Sequence, residues 1–269
     1  MDLETLVRKM SEIRKYKEFI TNSFFSVQQL SVMLDMDHVA IELRDNAIFI
    51  LMEEDQLFRL YFYAADLASL QQIQNVLPGV KGKPILADII GRNKQAENII
   101  NRLQLYNFHK YSTLIRMKRP GLERRDIEVS PVILASEDRL DEIMNLLYLE
   151  FDINISHLPN RNKLLRALQN NEITLVIQQN EIAGLAYFER LGEKLIYLYQ
   201  LVVDKRFRGQ GIADRLLTHQ FNQISEDVIC QLWVESNNHF AIHKYEEHHF
   251  SPDGLFDSIM MFKGEDNNE

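Results

Sequence analysis

Cysteine is nearly absent from this sequence, since Cys230 is the only one among 269 residues. One thiol can form neither an intramolecular disulfide framework nor a metal site made of cysteines alone. A chain of this length can still bury a substantial core without such staples. The scarcity of cysteine is typical of a reducing compartment, and we therefore expect a cytoplasmic protein.

Long apolar segments are missing as well. The strongest apolar run near the N-terminus extends from Ala47 to Met52, far short of the roughly 20 residues that a membrane-spanning helix needs. The chain opens with MDLETLVRKM, a pattern that indicates an amphipathic helix rather than a signal peptide. We expect a protein without membrane contacts.

Positive charge is scarce in the second half of the chain. Residues 1–120 carry 16 Lys and Arg against 14 Asp and Glu, whereas residues 121–269 carry 14 against 25. An acidic surface repels phosphates, so a nucleic-acid partner is not expected. The charge is compatible with a cationic or amine-bearing partner, and equally with acidic residues that only keep the protein in solution.

A linker-like segment divides the chain into two halves. The stretch KRPGLERRD, from Lys118 to Asp126, combines Pro120, Gly121 and charged residues between two apolar segments. This composition is typical of a linker. We predict an α+β N-terminal domain over residues 1–120, a linker over 121–128 and a second domain over 129–269.

The second half alternates apolar strands with amphipathic helices. Strand patterns cover residues 129–134, 173–177, 182–189, 195–203, 228–234 and 258–262. Helical spacing follows Ser136, recurs around Leu164 and Leu168, and continues over 209–224 and 238–247. This order predicts an α+β fold with a mixed central sheet flanked by helices.

The first half has a similar order of elements. Strand patterns at 39–43, 47–53 and 58–64 precede a helical pattern at 67–76, and strands at 83–90 and 111–117 flank a helix at 93–105. The segments NKQAENIINRLQLYNF (93–108) and NNHFAIHKYEEHHF (237–250) both open with Asn and close on an aromatic residue. These features favour a degenerate copy of one fold, although two unrelated α+β domains would give a similar pattern.

The most informative segment is LYQLVVDKRFRGQGIADRLL, residues 198–217. An apolar strand leads into two glycines, whose backbones can turn sharply and approach a ligand closely. The helix that follows presents N–H groups without internal partners, and its dipole adds positive potential. We expect this loop to bind a pyrophosphate through Arg206, Arg208, Gly209, Gln210, Gly211, Ile212 and Ala213.

The loop resembles the R/Q-x-x-G-x-G/A motif of the GNAT acetyltransferases, with Arg206, Gly209 and Gly211 at the marked positions. It is not a Walker loop, because no Lys-Ser/Thr pair follows, and it lacks the three glycines of a Rossmann fingerprint. The resemblance covers about residues 129–264 and implies a GNAT fold there. In that family the loop holds the pyrophosphate of acetyl-CoA, which is therefore the expected acyl donor.

A second block, Asn238-x-x-Ala241-x-x-x-Tyr245 ending at Phe250, resembles the family pattern N-x-x-A-x-x-x-Y-x-x-x-G-F. By this resemblance Asn238 would bind the pantetheine region. Tyr245 would be the general acid that protonates the departing CoA thiolate. His249 replaces the glycine of the pattern, so we expect the helix exit to be distorted, or left-handed at some energetic cost.

The resemblance also implies roles for backbone groups. In the family, the strand at 195–203 and the following strand splay apart, and the pantetheine arm pairs between them, here with Leu201 and Val203. An N–H group in this gap would stabilise the oxyanion. The polar segment 154–163 would line the acceptor pocket or be a plain loop. The general base stays open among Glu189, Glu235 and, through a water molecule, Tyr199 or Gln200.

Together these features imply an enzyme that transfers the acetyl group of acetyl-CoA to a primary amine of a small molecule or peptide, by direct attack in a ternary complex. A non-catalytic acyl-CoA sensor is an alternative. Another is an acyltransferase with a different donor, which the pocket lining near Tyr187, Phe188 and Trp233 would decide. No metal site is expected.

The first half lacks the glycine loop. At the matching point it reads YFYAADLASLQQIQ (61–74), without Gly, Lys or Arg, and Asp66 stands where anion donors would be needed. We therefore expect this half not to bind CoA there. It would instead shape the acceptor cleft or form a homodimer.

Overall fold

The computed structural model describes residues 2–54, 56–77, 82–92, 94–121 and 131–263. The chain forms two compact units, one made of Met1–Leu114 with Leu255–Glu269 and the other of Ile115–Gly254. Within the described residues, no helix is both long and apolar enough to cross a bilayer.

The first unit is built on a meander of three antiparallel strands. Its helices are α1 (Leu3–Ile13), α2 (Val27–Leu34) and α3 (Lys94–Gln104), and its strands are β1 (Ile20–Thr21), β2 (Val39–Leu43), β3 (Ala47–Glu53), β4 (Phe58–Ala64) and β5 (Ile85–Gly91). Two further strands, β6 (Phe108–Arg119) and β12 (Ser251–Phe262), have residues in both units. The strand order is β2-β3-β4-β5-β12, and β12 pairs antiparallel with β5 through residues 256–262.

Strand β3 is buried on both faces, and its alternate side chains enter two different cores because they point to opposite sides. Phe49 belongs to the core that includes Ile99 of α3. Ile48 and Ile50 belong to a second core that includes Leu6 of α1. The continuous apolar sequence of β3 thus reflects two cores rather than one.

Residues 20–22 cover the part of the β4 edge that β5 leaves unpaired. This strand pairs in parallel with β5 only at Phe58 and Arg59 among the described residues. Further along, β1 pairs antiparallel with the end of β4. Between them, the Asn22 side chain donates to the Leu60 carbonyl (2.9 Å) and accepts from the Phe62 N–H (2.8 Å). The backbone groups of β4 at this edge are therefore already paired within the unit.

The second unit has a mixed sheet with the strand order β11-β10-β9-β8-β7. The strands are β7 (Ile133–Leu134), β8 (Ile173–Gln178), β9 (Glu181–Arg190), β10 (Leu195–Val203) and β11 (Ile229–Glu235). Strands β10 and β11 are parallel, and the other pairs are antiparallel. The helices are α4 (Leu140–Glu150), α5 (Arg161–Gln169), α6 (Ile212–Phe221) and α7 (His239–Glu247).

Two cores hold the helices of the second unit to its strands. Leu216 and Leu217 of α6 share one core with Tyr245 of α7. Ile143 of α4 and Leu164 of α5 share the other core with the β9 side chains nearest to them. The first core supports the glycine loop, and the second supports the aromatic side chains of β9 and β10.

The predicted α+β class and mixed sheet are confirmed, and β2, β3, β4 and β10 begin and end at the predicted residues. The helix predicted at 67–76 is a 3-10 helix over Ser69–Asn75. The two compact units divide between Leu114 and Ile115, inside β6, which lies before the linker predicted at 121–128. Residues 122–130, which include most of the predicted linker, and Asn93 lie outside the described residues.

The last strand differs most from the prediction. It was expected at 258–262 within the second domain, but it begins at Ser251 and its residues from Leu255 onward belong to the first unit. The reason is packing, because Met260 of this strand is fully buried in the core around β3 and α3.

Candidate functional site

Strand β10 carries a bulge at Tyr199. Leu198 lies opposite Phe188 of β9, whereas Gln200 lies opposite Tyr187, so Tyr199 is the extra residue. A bulge bends its strand and interrupts the ladder. The parallel pairing of β10 with β11 also ends at Leu198, so the splay implied by the family resemblance is present.

The peptide groups of Leu201 and Val203 face this gap. The Asp204 N–H donates to the Ala183 carbonyl of the neighbouring segment. Because strand peptide groups alternate in direction, those of Val203 and Leu201 point away from β9. The Val203 carbonyl accepts a hydrogen bond from Arg208 Nε at 3.2 Å. A ligand chain in the gap would therefore face the Leu201 peptide group, whereas the Val203 carbonyl already accepts from Arg208.

The glycine loop forms an open backbone cradle. Gly209 (φ +76) and Gly211 (φ +68) are both left-handed, and a Cβ built on either would meet no atom within 4 Å. Gly211 is the N-cap of α6 and supplies no capping side chain. In the described part of the chain, the N–H groups of residues 209–214 donate to no protein acceptor. These exposed donors at a helix N-terminus fit a pyrophosphate.

The guanidinium of Arg206 is directed at carboxylates. Its Nε lies 3.1 Å and its Nη2 2.7 Å from the Asp204 side chain, and its Nη1 lies 2.5 Å from Glu181. The hydrogen bond from Arg206 lowers the pKa of Asp204. Asp204 also accepts from the Arg206 N–H at 2.8 Å. Arg206 thus braces the turn that enters the loop, in addition to any contact with an anion.

Lys205 and Arg208 are likewise paired, in this case with Glu150 at the end of α4. Arg208 Nη2 lies 2.6 Å and Lys205 Nζ 3.8 Å from its carboxylate. The Glu150 side chain is only 3% exposed. Each of the three cations of the loop therefore lies beside a carboxylate of the second unit.

Tyr245 is almost completely buried in α7. Its ring packs edge-on against Phe250 with centroids 5.7 Å apart. Burial first, and the nearby Cys230 thiol second, raise the pKa of the Tyr245 phenol well above its usual value. The phenol is protonated at neutral pH with or without this shift, as a proton donor must be. Burial alone also raises the pKa of Cys230, which favours the inert thiol expected of a core residue.

The two ends of α7 differ in how well they follow the family pattern. Asn238 is the N-cap of α7, and its Oδ1 accepts from the Ala241 N–H at 3.1 Å. At the other end His249 adopts φ +66, so the left-handed exit is confirmed at the residue that replaces glycine. The His248 ring instead bonds Asp214 of α6 at 3.0 Å and links the two helices.

A tyrosine cluster, formed by Tyr187, Tyr197 and Tyr199, lies at the bulge. The rings of Tyr187 and Tyr199 stack at 5.3 Å, and those of Tyr197 and Tyr199 meet edge-on at 4.6 Å. Glu189, a candidate base, lies 3.3 Å from the Tyr187 hydroxyl. The other acidic candidate, Glu235, is at the end of β11. Of the candidate bases, Glu189 lies on β9, and Tyr199 and Gln200 lie on the neighbouring strand β10.

Sequence reasoning missed Glu150 and Lys163. Glu150 reads as the polar end of an amphipathic helix, and nothing local indicates that it pairs with a loop more than fifty residues away. Lys163 lies at the edge of the segment 154–163, and its ammonium is 3.9 Å from the centroid of the Tyr199 ring. The sequence carried a signal for Lys163 only, because the segment 154–163 is expected either to line the acceptor pocket or to be a plain loop.

The Acetyltransferase (GNAT) family matches residues 140–250 of this sequence. These residues include the bulged strand, the glycine loop and α7. No curated protein is detectably similar in sequence.

Solved structures resemble this chain over nearly its whole length. A tandem GNAT protein from the clavulanic acid biosynthesis pathway is 9% identical, with coverage of 99% of this chain and 96% of that one and a TM-score of 0.61. A GNAT-family acetyltransferase from Colwellia psychrerythraea is 14% identical over 98% of both chains, with a TM-score of 0.56. Since such identities establish fold alone, the first half is shown to be GNAT-like in fold. The chain thus has a two-part GNAT-like fold, and its residues 140–250 form a domain of the GNAT acetyltransferase family.

Proposed function

We propose that this protein is an acetyl-CoA-dependent N-acetyltransferase that acylates a primary amine in a ternary complex. One observation carries the proposal. A bulged strand that has separated from its parallel neighbour runs directly into two left-handed glycines and a helix start with unpaired N–H groups. A thioester arm and a pyrophosphate would find their partners on one continuous stretch of backbone.

The pyrophosphate would be held by the backbone of residues 209–214. These N–H groups are already aligned by α6, so binding requires little reorganisation. Arg208 would add charge from the side of Glu150. Gln210, Ile212 and Ala213 contribute as backbone donors, and so their side chains are not expected to decide affinity.

The acyl step would use groups on either side of the gap. Leu201 would pair with the pantetheine arm, and a backbone N–H at the bulge would polarise the thioester carbonyl. Tyr245 would donate its proton to the departing thiolate. Glu189 would accept the proton that the amine loses. Asn238 would contact the arm through its amide nitrogen, because its oxygen caps α7.

The test is calorimetric titration of the full chain with acetyl-CoA, followed by thiol release with a panel of amines. Gly209→Asp would place a carboxylate in the cradle and abolish binding. Gly192→Asp is the matched control, because Gly192 also has a positive φ (+89) and open space around a Cβ, but it lies in the β9–β10 turn. Absence of acetyl-CoA binding by the wild type, or equal affinities of the two variants, would refute the proposal.

A further inference from the structure

The bulge at Tyr199 directs two consecutive side chains of β10 to the same face of the sheet. Tyr199 and Val202 pack in the core of α4 and α5, whereas Leu198 and Leu201 pack in the core of α6 and α7. Gln200 therefore shares the face of Tyr199. It is also the cross-strand partner of Tyr187, and such partners have neighbouring side chains on one face.

A cation already lies at this face. The Lys163 ammonium is 3.9 Å from the centroid of the Tyr199 ring and 6.0 Å from that of Tyr187. It is also 3.7 Å from the Glu189 carboxylate. An ammonium above stacked aromatic rings and beside a carboxylate is the arrangement by which proteins recognise alkylammonium ligands. The Lys163 side chain is 40% exposed, so solvent and ligands can reach it.

Two carboxylates lie close to the tyrosine cluster. Burial first, and then the charge of Glu189, raise the pKa of Tyr199. Burial and the same carboxylate raise the pKa of Glu172. Glu189 and Glu172 thus both lie close enough to act on Tyr199, and Lys163 lies beside Glu189.

Gln200 provides an independent indication of a ligand. Its side chain is 4% exposed, and its Oε1 has no hydrogen-bond partner in the described part of the chain. A buried, unpaired carbonyl oxygen is costly unless a donor reaches it. An ammonium has three donors, and Lys163 does not supply one to Gln200, so an incoming ammonium on this face could do so.

We propose that Tyr187, Tyr199, Glu189 and Gln200 form a binding site for the primary ammonium of an aliphatic acceptor, and that Lys163 occupies it in the free protein. The inference rests on the proposed function and gives the acceptor its chemical class. The acceptor must displace Lys163, so Lys163 acts as an internal competitor. Its removal is expected to tighten the binding of simple alkylamines.

The experiment is an NMR titration with n-butylamine, which is an ammonium at neutral pH, and with 1-butanol as its uncharged counterpart. Lys163→Met should bind butylammonium about tenfold more tightly than the wild type, because the competitor is gone while the side-chain length is kept. Adding Glu189→Gln or Tyr199→Leu to Lys163→Met should reverse that gain. Lys194→Met, at the exposed β9–β10 turn, removes the same charge elsewhere and should change nothing.

Equal affinities of wild type and Lys163→Met would overturn the proposal, as would butanol binding as tightly as butylammonium. Loss of folding is detected separately by the melting temperature of each variant. The titration needs no acetyl-CoA. Failure of acetyl-CoA to bind would therefore refute the proposed function, and failure of butylammonium to respond to Lys163 would refute only this site.

Discussion

The sharpest test of the cradle is Gly211→Ala. At φ +68 an L-residue is disfavoured by roughly 1–2 kcal/mol, and the lower entropy of an unfolded chain with Ala offsets about half of this. Because a Cβ at this position meets no atom within 4 Å, no steric cost within the protein is added. The free energy of unfolding should therefore fall by about 1 kcal/mol.

Ligand binding should suffer more than stability. The added methyl group would occupy the open space beside the unpaired N–H groups of α6. Loss of one or two hydrogen bonds to a charged group costs about 1.5–3 kcal/mol each, so acetyl-CoA affinity should fall at least tenfold. Urea unfolding would measure stability, and calorimetry would measure affinity.

Gly192→Ala separates the two effects. Gly192 has φ +89 and the same open surroundings, but it lies in a turn away from the loop. It should lose comparable stability and no affinity for acetyl-CoA. If Gly192→Ala weakened acetyl-CoA as much as Gly211→Ala, the loss would reflect general destabilisation, and our account of the cradle would be refuted.

Three further changes probe other parts of the site. His249→Gly should raise the free energy of unfolding by about 1 kcal/mol in urea titrations, because glycine tolerates the left-handed exit of α7, and His249→Ala should give no such gain. Tyr245→Phe should lower turnover about 100-fold in a thiol-release assay while acetyl-CoA affinity is kept. Unchanged turnover would contradict the general-acid role of Tyr245. A wild type that binds acetyl-CoA without any turnover would favour the sensor. Asp204→Asn should destabilise the protein at neutral pH, since the Asp204 pKa is lowered in the fold by Arg206. That stabilisation is present above the ordinary pKa of 3.8 and is lost as the pH falls through the lower folded value. The free energies of unfolding of variant and wild type, measured by chemical denaturation, should therefore converge in acid. A difference that does not change with pH would contradict the role of this pairing.

Much of the fold was predictable because its signals are local. The alternation in β10 and the glycines after it fix a strand and a loop from neighbouring residues alone. The left-handed His249 was predictable for the same reason, since a family glycine is replaced at a helix exit. Such features depend on backbone preferences that each residue carries with it.

The remaining features depend on contacts between distant residues. The pairing of Arg208 with Glu150 leaves the loop less cationic than its sequence suggests. Asn22 completing the edge of β4 has no sequence signature, because any short polar segment could do so. It nevertheless gives a structural reason, besides the missing glycines, to expect no CoA binding in the first half.

The pairing of β12 with β5 has a consequence for how the protein is made. Residues 256–262 complete a sheet whose other strands are synthesised much earlier. Until the ribosome has released that segment, β12 cannot pair with β5, and unpaired strand edges are of the kind that promotes aggregation. The first unit is therefore expected to reach its native state only after translation has passed the second, and a gene truncated at residue 120 should yield an N-terminal fragment that aggregates rather than folds.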